Sequence, residues 1–269
     1  MVQRKHLALI GAGRMGSALA RGWIASDANL EMSIIAPRPS DEVARWVEEG
    51  QAGLNPSPTA VDYLIVAVKP QVFDDVLSTI RPWMGPQTLV VSVMAGITLE
   101  TMCEAFGTRR VVRAMPNTPG AIGKGVTLLC AADDAASSDI DAARKLLEPL
   151  GHVEGPMGEN ILPVATALSG CGPAYVFLLA EVMASAAIAE GLPVEMAERL
   201  AGLTVEGAAS LMATSGEAPA ELRRAVTSPN GVTAAALDIL SDEGGMPSLM
   251  RIAQRAAAAR DRALSKTVD

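Results

Sequence analysis

The stretch "HLALIGAGRMGSALARG" (residues 6–22) decides the fold of this chain. It begins with a short apolar run and continues into a helical stripe, so a strand is predicted to lead directly into a helix. Between them, Gly11, Gly13 and Gly16 fit the pattern G-x-G-x-x-G. In that context the glycines favour a dinucleotide site, the alternative being a turn that holds no ligand. The predicted contacts to the nucleotide are Gly11, Ala12, Gly13, Arg14, Met15 and Gly16.

Short apolar runs alternate with helical patterns through the first half of the sequence. They are HLALI, MSIIA, YLIVAV, TLVVSV, RVVRAM and GVTLLC. Continuous apolar strands separated by crossovers of this length indicate a mostly parallel sheet with helices on both faces. After "EGPMGEN" (residues 154–160) the pattern changes to long helices. We predict an α/β fold, with an N-terminal Rossmann-type doubly wound sheet over residues 1–157 followed by an all-α helical domain over residues 158–269.

The end of the second predicted strand indicates which dinucleotide is bound. An NAD site normally has Asp or Glu there to hold the ribose 2′-hydroxyl, whereas this chain reads "SIIAPRPSDE". Arg38 and Ser40 are suited to a 2′-phosphate, because charge-assisted hydrogen bonds to phosphate are strong. We predict NADP as the cofactor. NAD remains the alternative because Asp41 is close by, and Arg38 could equally be an ordinary solvated arginine.

Two further loops follow predicted strands, "VAVKPQ" (residues 66–71) and "AMPNTPG" (residues 114–120). Loops that leave the carboxyl ends of strands form the walls of the ligand crevice in an open α/β sheet. Their prolines fix the loop shape. The predicted contacts to the nicotinamide end or the substrate are Val68, Lys69, Pro70, Asn117 and Thr118, the alternative being that either loop is only a rigid turn.

Composition excludes several classes of protein. The formal net charge of −8 opposes nucleic-acid binding, whose affinity comes mainly from phosphate neutralisation. No apolar run approaches the roughly 20 residues that span a bilayer, so we expect no membrane contact and a cytoplasmic location. The three cysteines, Cys103, Cys130 and Cys171, are far apart, which argues against a disulfide framework and a zinc cluster. We therefore expect no metal site.

The second half of the chain lacks the usual proton-transfer residues. No lysine lies between Lys145 and Lys266, and His152 belongs to the first half. We expect one long helix ending at Gly191, in spite of the "SGCGPA" segment (residues 169–174) inside it. The stretch "VTSPNGVTA" (residues 226–234) breaks a later helix and begins another, so it offers hydroxyls and backbone N–H groups to a carboxylate. A helix–helix turn whose hydroxyls bond only to the backbone is the alternative.

A cyclic imine that bears a carboxylate suits such a site, because the imine nitrogen can bind already protonated. Five motifs of this chain resemble, in order and spacing, those of the pyrroline-5-carboxylate reductase family. They are IGAGRMGSALARG, AVKPQ, MPNTP, ALSGCGPAYVF and VTSPNGVT. The resemblance implies reduction of 1-pyrroline-5-carboxylate to L-proline with NADPH or NADH. It also implies a homodimer of intertwined helical domains, which can assemble further to a decamer.

The resemblance also assigns residues. Ser228 and Thr233 would be the catalytic pair, with Thr233 near the ring nitrogen. The substrate carboxylate would be held by Ser228, Asn230, Gly231, Val232 and Thr233. Three features depart from the family pattern: Asn230 replaces the first of two glycines, Cys171 replaces a small residue, commonly serine, and "NGVTAAA" (residues 230–236) differs from the more usual "GGTT".

Three alternatives remain open at the level of sequence. A β-hydroxyacid dehydrogenase would have a similar two-domain build, but the missing lysine counts against it. A reductase for six-membered cyclic imines would use the same motifs, because pocket volume is a tertiary property. A nucleotide-sensing protein without turnover is the non-enzymatic alternative.

Overall fold

The computed structural model describes residues 4–26 and 28–265. Within those residues, eight strands form a single sheet. The strands are β1 (Lys5–Ile10), β2 (Leu30–Ile35), β3 (Gly53–Leu54), β4 (Tyr63–Val66), β5 (Leu89–Ser92), β6 (Val111–Met115), β7 (Gly125–Ala131) and β8 (Gly151–Glu154). All six predicted runs are strands. The prediction missed β3 and β8, which are short and begin with glycine.

Eleven α-helices accompany the sheet in the same part of the chain. They are α1 (Arg14–Ala25), α2 (Asp41–Glu48), α3 (Phe73–Ile80), α4 (Leu99–Phe106), α5 (Ser137–Leu147), α6 (Leu162–Ser169), α7 (Gly172–Ala189), α8 (Val194–Ser215), α9 (Pro219–Ala225), α10 (Val232–Leu240) and α11 (Met246–Ser265). Short 3₁₀ helices lie at Pro70–Val72, Arg81–Trp83, Thr118–Ile122 and Glu148–Leu150.

The strand order β3-β2-β1-β4-β5-β6-β7-β8 confirms the predicted doubly wound sheet. Every neighbouring pair is parallel except β6 and β7. Ile10 at the end of β1 is level with Ile35 on β2 and Val66 on β4. The chain order reverses between β1 and β4, and this is the point at which open α/β sheets bind ligands.

Alternate residues of β1 enter two different cores, one on each face of the sheet. Leu7 and Leu9 pack with residues of α1, α2 and α5, including Trp23. Ala8 and Ile10 pack with residues of α3 and α4, including Phe73. Because successive side chains of a strand point to opposite faces, this division places helices on both sides of the sheet, as predicted.

The prediction of one long helix that ends at Gly191 is wrong, because this segment forms two helices. Helix α6 ends at Ser169 and α7 begins at Gly172. Pro173 in the first turn of α7 has no N–H to continue the hydrogen-bond ladder of α6. A side chain at Gly170 would meet the Thr166 carbonyl at 2.9 Å, so the backbone is also tightly packed there.

The chain divides into two compact units, one made of Met1–Gly170 and Ala257–Asp269 and the other of Cys171–Ala256. The second unit is helical. Its helix pair α7 and α8 packs through the small residues Ala184, Ala197 and Ala201. The predicted division at residue 157 stays a prediction.

Helix α7 is apolar on all sides and largely uncovered. Phe177, Leu178 and Val182 are each more than half exposed. By length and composition alone the segment Leu162–Ala189 could cross a membrane, with almost none of its most apolar stretch buried. Judged by uninterrupted apolar runs alone, the sequence predicts no segment able to span a bilayer. In this segment small residues between the large apolar ones keep the mean hydropathy high. A helix apolar on every side needs a covering surface.

Candidate nucleotide and substrate sites

The glycine-rich turn after β1 is shaped by close backbone contacts. Gly11 has φ +94°, and a Cβ there would lie 2.8 Å from the Ala67 carbonyl oxygen. A Cβ on Gly16 would lie less than 3.0 Å from the Gly11 carbonyl oxygen, so only glycine lets α1 pack this closely on the strand end. Gly13 has no atom within 4 Å of a Cβ position, which leaves room above its backbone.

An open cavity of about 720 Å³ lies in front of this turn. Gly13, Arg14 and Met15 belong to its wall; Gly13 is the N-cap of α1, and Arg14 and Met15 are the first two residues of the helix. The first N–H groups of a helix have no partner within it and favour an anion. The other residues that line the cavity are Ala12, Ser17, Ala18, Arg21, Ser40, Glu42, Thr118 and Ala121. The structure therefore brings the predicted turn and the predicted Ser40 to one cavity.

The end of β2 carries the predicted selectivity residues. Arg38 is exposed. Its guanidinium makes no hydrogen bond or ion pair with any residue that the structure describes. The Ser40 hydroxyl caps α2 by accepting a hydrogen bond from Val43 N at 3.4 Å, which leaves its own proton available. Sequence reasoning missed Asn55, whose amide pairs with both backbone groups of Ala36 at 2.9 and 3.0 Å. Asn55 takes a left-handed φ of 45°, and the signal that the sequence offered is the Asn-Pro dipeptide in "LNPSP", which is typical of a turn.

A second feature of this cavity was also missed. Arg21 on α1 binds both carboxylate oxygens of Glu42 on α2, each at 2.8 Å. It also donates to the Ala121 carbonyl at 3.4 Å. The hydrogen bond from Arg21 holds the pKa of Glu42 below its usual range and raises the pKa of Arg21 itself. The two residues are distant in sequence, so no local pattern could reveal the pair.

The two proline loops differ in how free their side chains are. Val68 lies against the glycine turn, with its Cγ1 2.9 Å from the Cβ position of Gly11. Lys69 is exposed and precedes the 3₁₀ helix that starts at Pro70. Asn117 is buried and donates to the Ser169 carbonyl at 2.9 Å while it accepts from Val126 N at 2.8 Å. Asn117 therefore bridges β7 and the end of α6, which leaves one amide proton for any ligand.

The loop before α10 has the predicted break and a specific backbone shape. Asn230 takes a left-handed φ of 56°, the conformation expected if it replaces a glycine. Gly231 N donates to the Ser228 carbonyl at 3.0 Å. A Cβ on Gly231 would collide with Ser228 Oγ at less than 3.0 Å. Helix α10 then begins at Val232 without any side-chain cap.

The hydroxyls of this loop are used differently from one another. Thr227 Oγ1 donates to the Arg223 carbonyl at 2.6 Å, a bond to the backbone alone. Across the described residues, neither Ser228 nor Thr233 makes a side-chain hydrogen bond, and both are exposed. These two hydroxyls therefore do not act as the simple helix caps of the alternative interpretation.

The histidines are engaged away from both sites. His6 Nε2 lies 2.9 Å from Ser33 Oγ, and its ring packs edge-on against Trp83. His152 Nε2 lies 3.0 Å from Glu154 Oε2 at the surface. Among residues 4–26 and 28–265, no three His, Cys, Asp or Glu side chains gather closely enough to hold a metal ion.

Comparison with known proteins agrees with this architecture. Residues 159–264 match the family model for pyrroline-5-carboxylate reductase dimerisation, and residues 6–96 match that for coenzyme F420-dependent NADP oxidoreductases. The chain is 36% identical over 265 residues to the pyrroline-5-carboxylate reductase of Glycine max, covering 96% of each chain. It is 34% identical to that of Escherichia coli strain K12, covering 89% of this chain and 91% of the relative.

Solved structures agree as well. A pyrroline-5-carboxylate reductase from Coxiella burnetii aligns with a TM-score of 0.88 and 30% identity, over 98% of this chain and all of that one. The Plasmodium falciparum enzyme, solved with NADP bound, aligns with a TM-score of 0.78 and 26% identity, over 98% of this chain and all of that one. The chain belongs to the pyrroline-5-carboxylate reductase family.

Proposed function

We propose that this protein reduces 1-pyrroline-5-carboxylate to L-proline, the final step of proline biosynthesis, with NADPH as the preferred reductant and NADH as the alternative. A hydride adds to the ring carbon of the protonated C=N bond, and the nitrogen keeps its proton. Family membership supports this activity. The local observation that carries it is the pair of unengaged hydroxyls, Ser228 and Thr233, in a helical unit without lysine or histidine.

The residues of the nucleotide cavity fit a dinucleotide phosphate. The space above Gly13 admits a pyrophosphate, and the unpaired Arg38 together with the free proton of Ser40 suits a 2′-phosphate. Bound NADPH supplies the hydride. We assign the pyrophosphate to Gly11, Ala12, Gly13, Arg14, Met15 and Gly16, the 2′-phosphate to Arg38 and Ser40, and the nicotinamide end to Val68, Lys69, Pro70 and Asn117.

The loop before α10 holds the substrate in this proposal. Ser228 and the backbone of Asn230, Gly231 and Val232 bind the carboxylate at the start of the helix, where a negative charge is favoured. The Thr233 hydroxyl accepts a hydrogen bond from the ring N–H⁺ and orients the C=N bond. No side chain has to donate a proton, because the substrate binds protonated.

Consumption of NADPH with racemic 1-pyrroline-5-carboxylate, followed at 340 nm, tests the proposal. We expect sustained turnover and formation of proline, identified by mass spectrometry. A six-membered cyclic imine carboxylate and a β-hydroxy acid with NADP⁺ serve as alternative substrates. Faster reaction with either one, or binding of NADPH without consumption, would replace the proposal by the corresponding alternative.

We also propose a cytoplasmic homodimer formed through the helical domain, with assembly of five dimers to a decamer, and with no nucleic-acid or membrane partner. The exposed apolar face of α7 and the match to a dimerisation family support the dimer. We assign residues 1–157 to the NAD(P)-binding domain and residues 158–269 to the helical dimerisation and substrate domain. Light scattering of the purified protein without detergent measures the assembly.

A further inference from the structure

The nucleotide cavity contains a carboxylate, that of Glu42, close in sequence to Ser40, the residue that we propose to bind the 2′-phosphate. Glu42 lies in the first turn of α2, two residues after Ser40, and both line the same cavity. A free carboxylate near the end of β2 is what an NAD site uses to bind the ribose 2′-hydroxyl. The same carboxylate would repel a 2′-phosphate. Something must therefore neutralise Glu42 if NADPH is to be preferred.

Arg21 is placed to do this. Its Nε and Nη2 bind the two oxygens of Glu42 at 2.8 Å each, a bidentate geometry that neutralises the carboxylate and uses one lone pair of each oxygen. Its Nη1 donates to the Ala121 carbonyl at 3.4 Å, which ties the pair to another residue that lines the cavity. The Glu42 side chain is only 27% exposed, so water screens the charge incompletely. Arg45, one helical turn further along α2, is exposed and makes no ion pair with Glu42 among the described residues.

We infer that Arg21 is a positioning residue for cofactor selectivity: by holding both oxygens of Glu42 it makes the cavity accept a 2′-phosphate and denies the carboxylate to the 2′-hydroxyl of NADH. This inference rests on the proposed function, because it assumes that the cavity binds the adenosine end of the cofactor. It differs from the role of Arg38, which contacts the phosphate directly. Arg21 acts through Glu42.

The test compares nucleotide affinities in three variants, Arg21→Met, Glu42→Gln and the double variant. Dissociation constants for NADPH and NADH come from titration of cofactor fluorescence, which needs no substrate. Arg21→Met should weaken NADPH at least about tenfold relative to NADH, a shift of about 1.4 kcal/mol in selectivity. Glu42→Gln alone should change the ratio less than about threefold, and adding it to Arg21→Met should restore the ratio to within that range.

Competition by 2′,5′-ADP (adenosine 2′,5′-bisphosphate) and by 5′-AMP repeats the measurement with probes that differ only in the 2′-phosphate. Arg21→Met should weaken the first and not the second. Equal losses for both nucleotides would overturn the inference, and so would a double variant that stays defective, because Arg21 would then contact the phosphate itself. If the wild-type protein turns over the imine but Arg21→Met leaves the ratio of NADPH to NADH affinity unchanged, this inference alone would be overturned. A wild-type protein that binds neither nucleotide would overturn the proposed function with it.

Discussion

A side chain on Gly16 would meet the carbonyl oxygen of Gly11 at less than 3.0 Å, whereas one on Gly13 would meet nothing within 4 Å. The two positions therefore carry glycine for different reasons. Gly16 keeps α1 against the end of β1, and Gly13 keeps a space open above the first turn of the helix.

This contrast gives a pair of matched variants. Gly16→Ala should destabilise the fold by about 1–3 kcal/mol, because the helix must move away from the strand. Gly13→Ala should change stability by less than about 1 kcal/mol and yet weaken NADPH by tenfold or more, about 1.4 kcal/mol. Thermal unfolding and cofactor titration separate the two effects. Unaltered NADPH affinity in Gly13→Ala would show that no pyrophosphate approaches that backbone.

Gly231 offers the same argument in the substrate loop. Gly231→Ala brings a methyl group onto Ser228 Oγ, so the loop must change shape. We expect kcat/KM for the imine to fall at least about tenfold, with NADPH affinity unchanged. Gly202→Ala is the control, because it lies within α8 with no atom near its Cβ position. It should stabilise the protein by up to about 1 kcal/mol and leave the kinetics as they are.

Thr233 is expected to contact the ring nitrogen through its hydroxyl. Thr233→Val keeps the side-chain shape and removes that contact, so kcat should drop by about 10-fold to 100-fold with little change in stability. Thr233→Ser should keep most of the activity. The control, Thr227→Val, loses only the bond to the Arg223 carbonyl. Its unfolding free energy should fall by about 1 kcal/mol with kcat retained. Normal steady-state kinetics in Thr233→Val would remove Thr233 from the site.

Arg38 is expected to bind the 2′-phosphate directly. Arg38→Ala should weaken NADPH by about 1.5–3 kcal/mol, the usual contribution of a hydrogen bond to a charged group, and leave NADH within about twofold. Because Arg38 is exposed and unpaired within the described chain, its removal should not alter thermal stability. Equal weakening of both cofactors would refute the phosphate contact.

Which parts of the fold and of the candidate site can be predicted depends on how far apart in sequence the interacting residues lie. The glycine turn, the six apolar strands and the Asn230 turn are local, so short patterns revealed them. The Arg21–Glu42 pair and the Asn55 contact to Ala36 depend on the sheet bringing distant residues together. Asn117 was singled out by its motif, but only the fold shows that its amide already bridges Ser169 and Val126.

The break between α6 and α7 is not predictable from the sequence for a different reason. Gly170, Gly172 and Pro173 each destabilise a helix interior, but the sequence does not reveal whether packing compensates for that cost. The structure shows that it does not, since a new helix begins at Gly172 with Pro173 in its first turn.

Burial of Cys130 gives a prediction about alkaline stability. Cys130 on β7 is completely buried, and burial raises its pKa from 9.0 to about 11. Between these values the unfolded chain loses the thiol proton while the folded protein keeps it, so stability falls as pH rises. The difference corresponds to roughly 2–3 kcal/mol across the window.

Urea unfolding of the wild type and of Cys130→Ala, each at pH 8 and pH 11, isolates this contribution. Cys130→Ala should be less stable at pH 8 because it leaves a small cavity, but its unfolding free energy should depend less on pH than that of the wild type. Cys103, whose pKa burial also raises, is present in both proteins, and its effect cancels in the comparison. Identical pH dependences would mean that the Cys130 thiol ionises as readily in the folded protein as in the unfolded chain, and that water reaches β7.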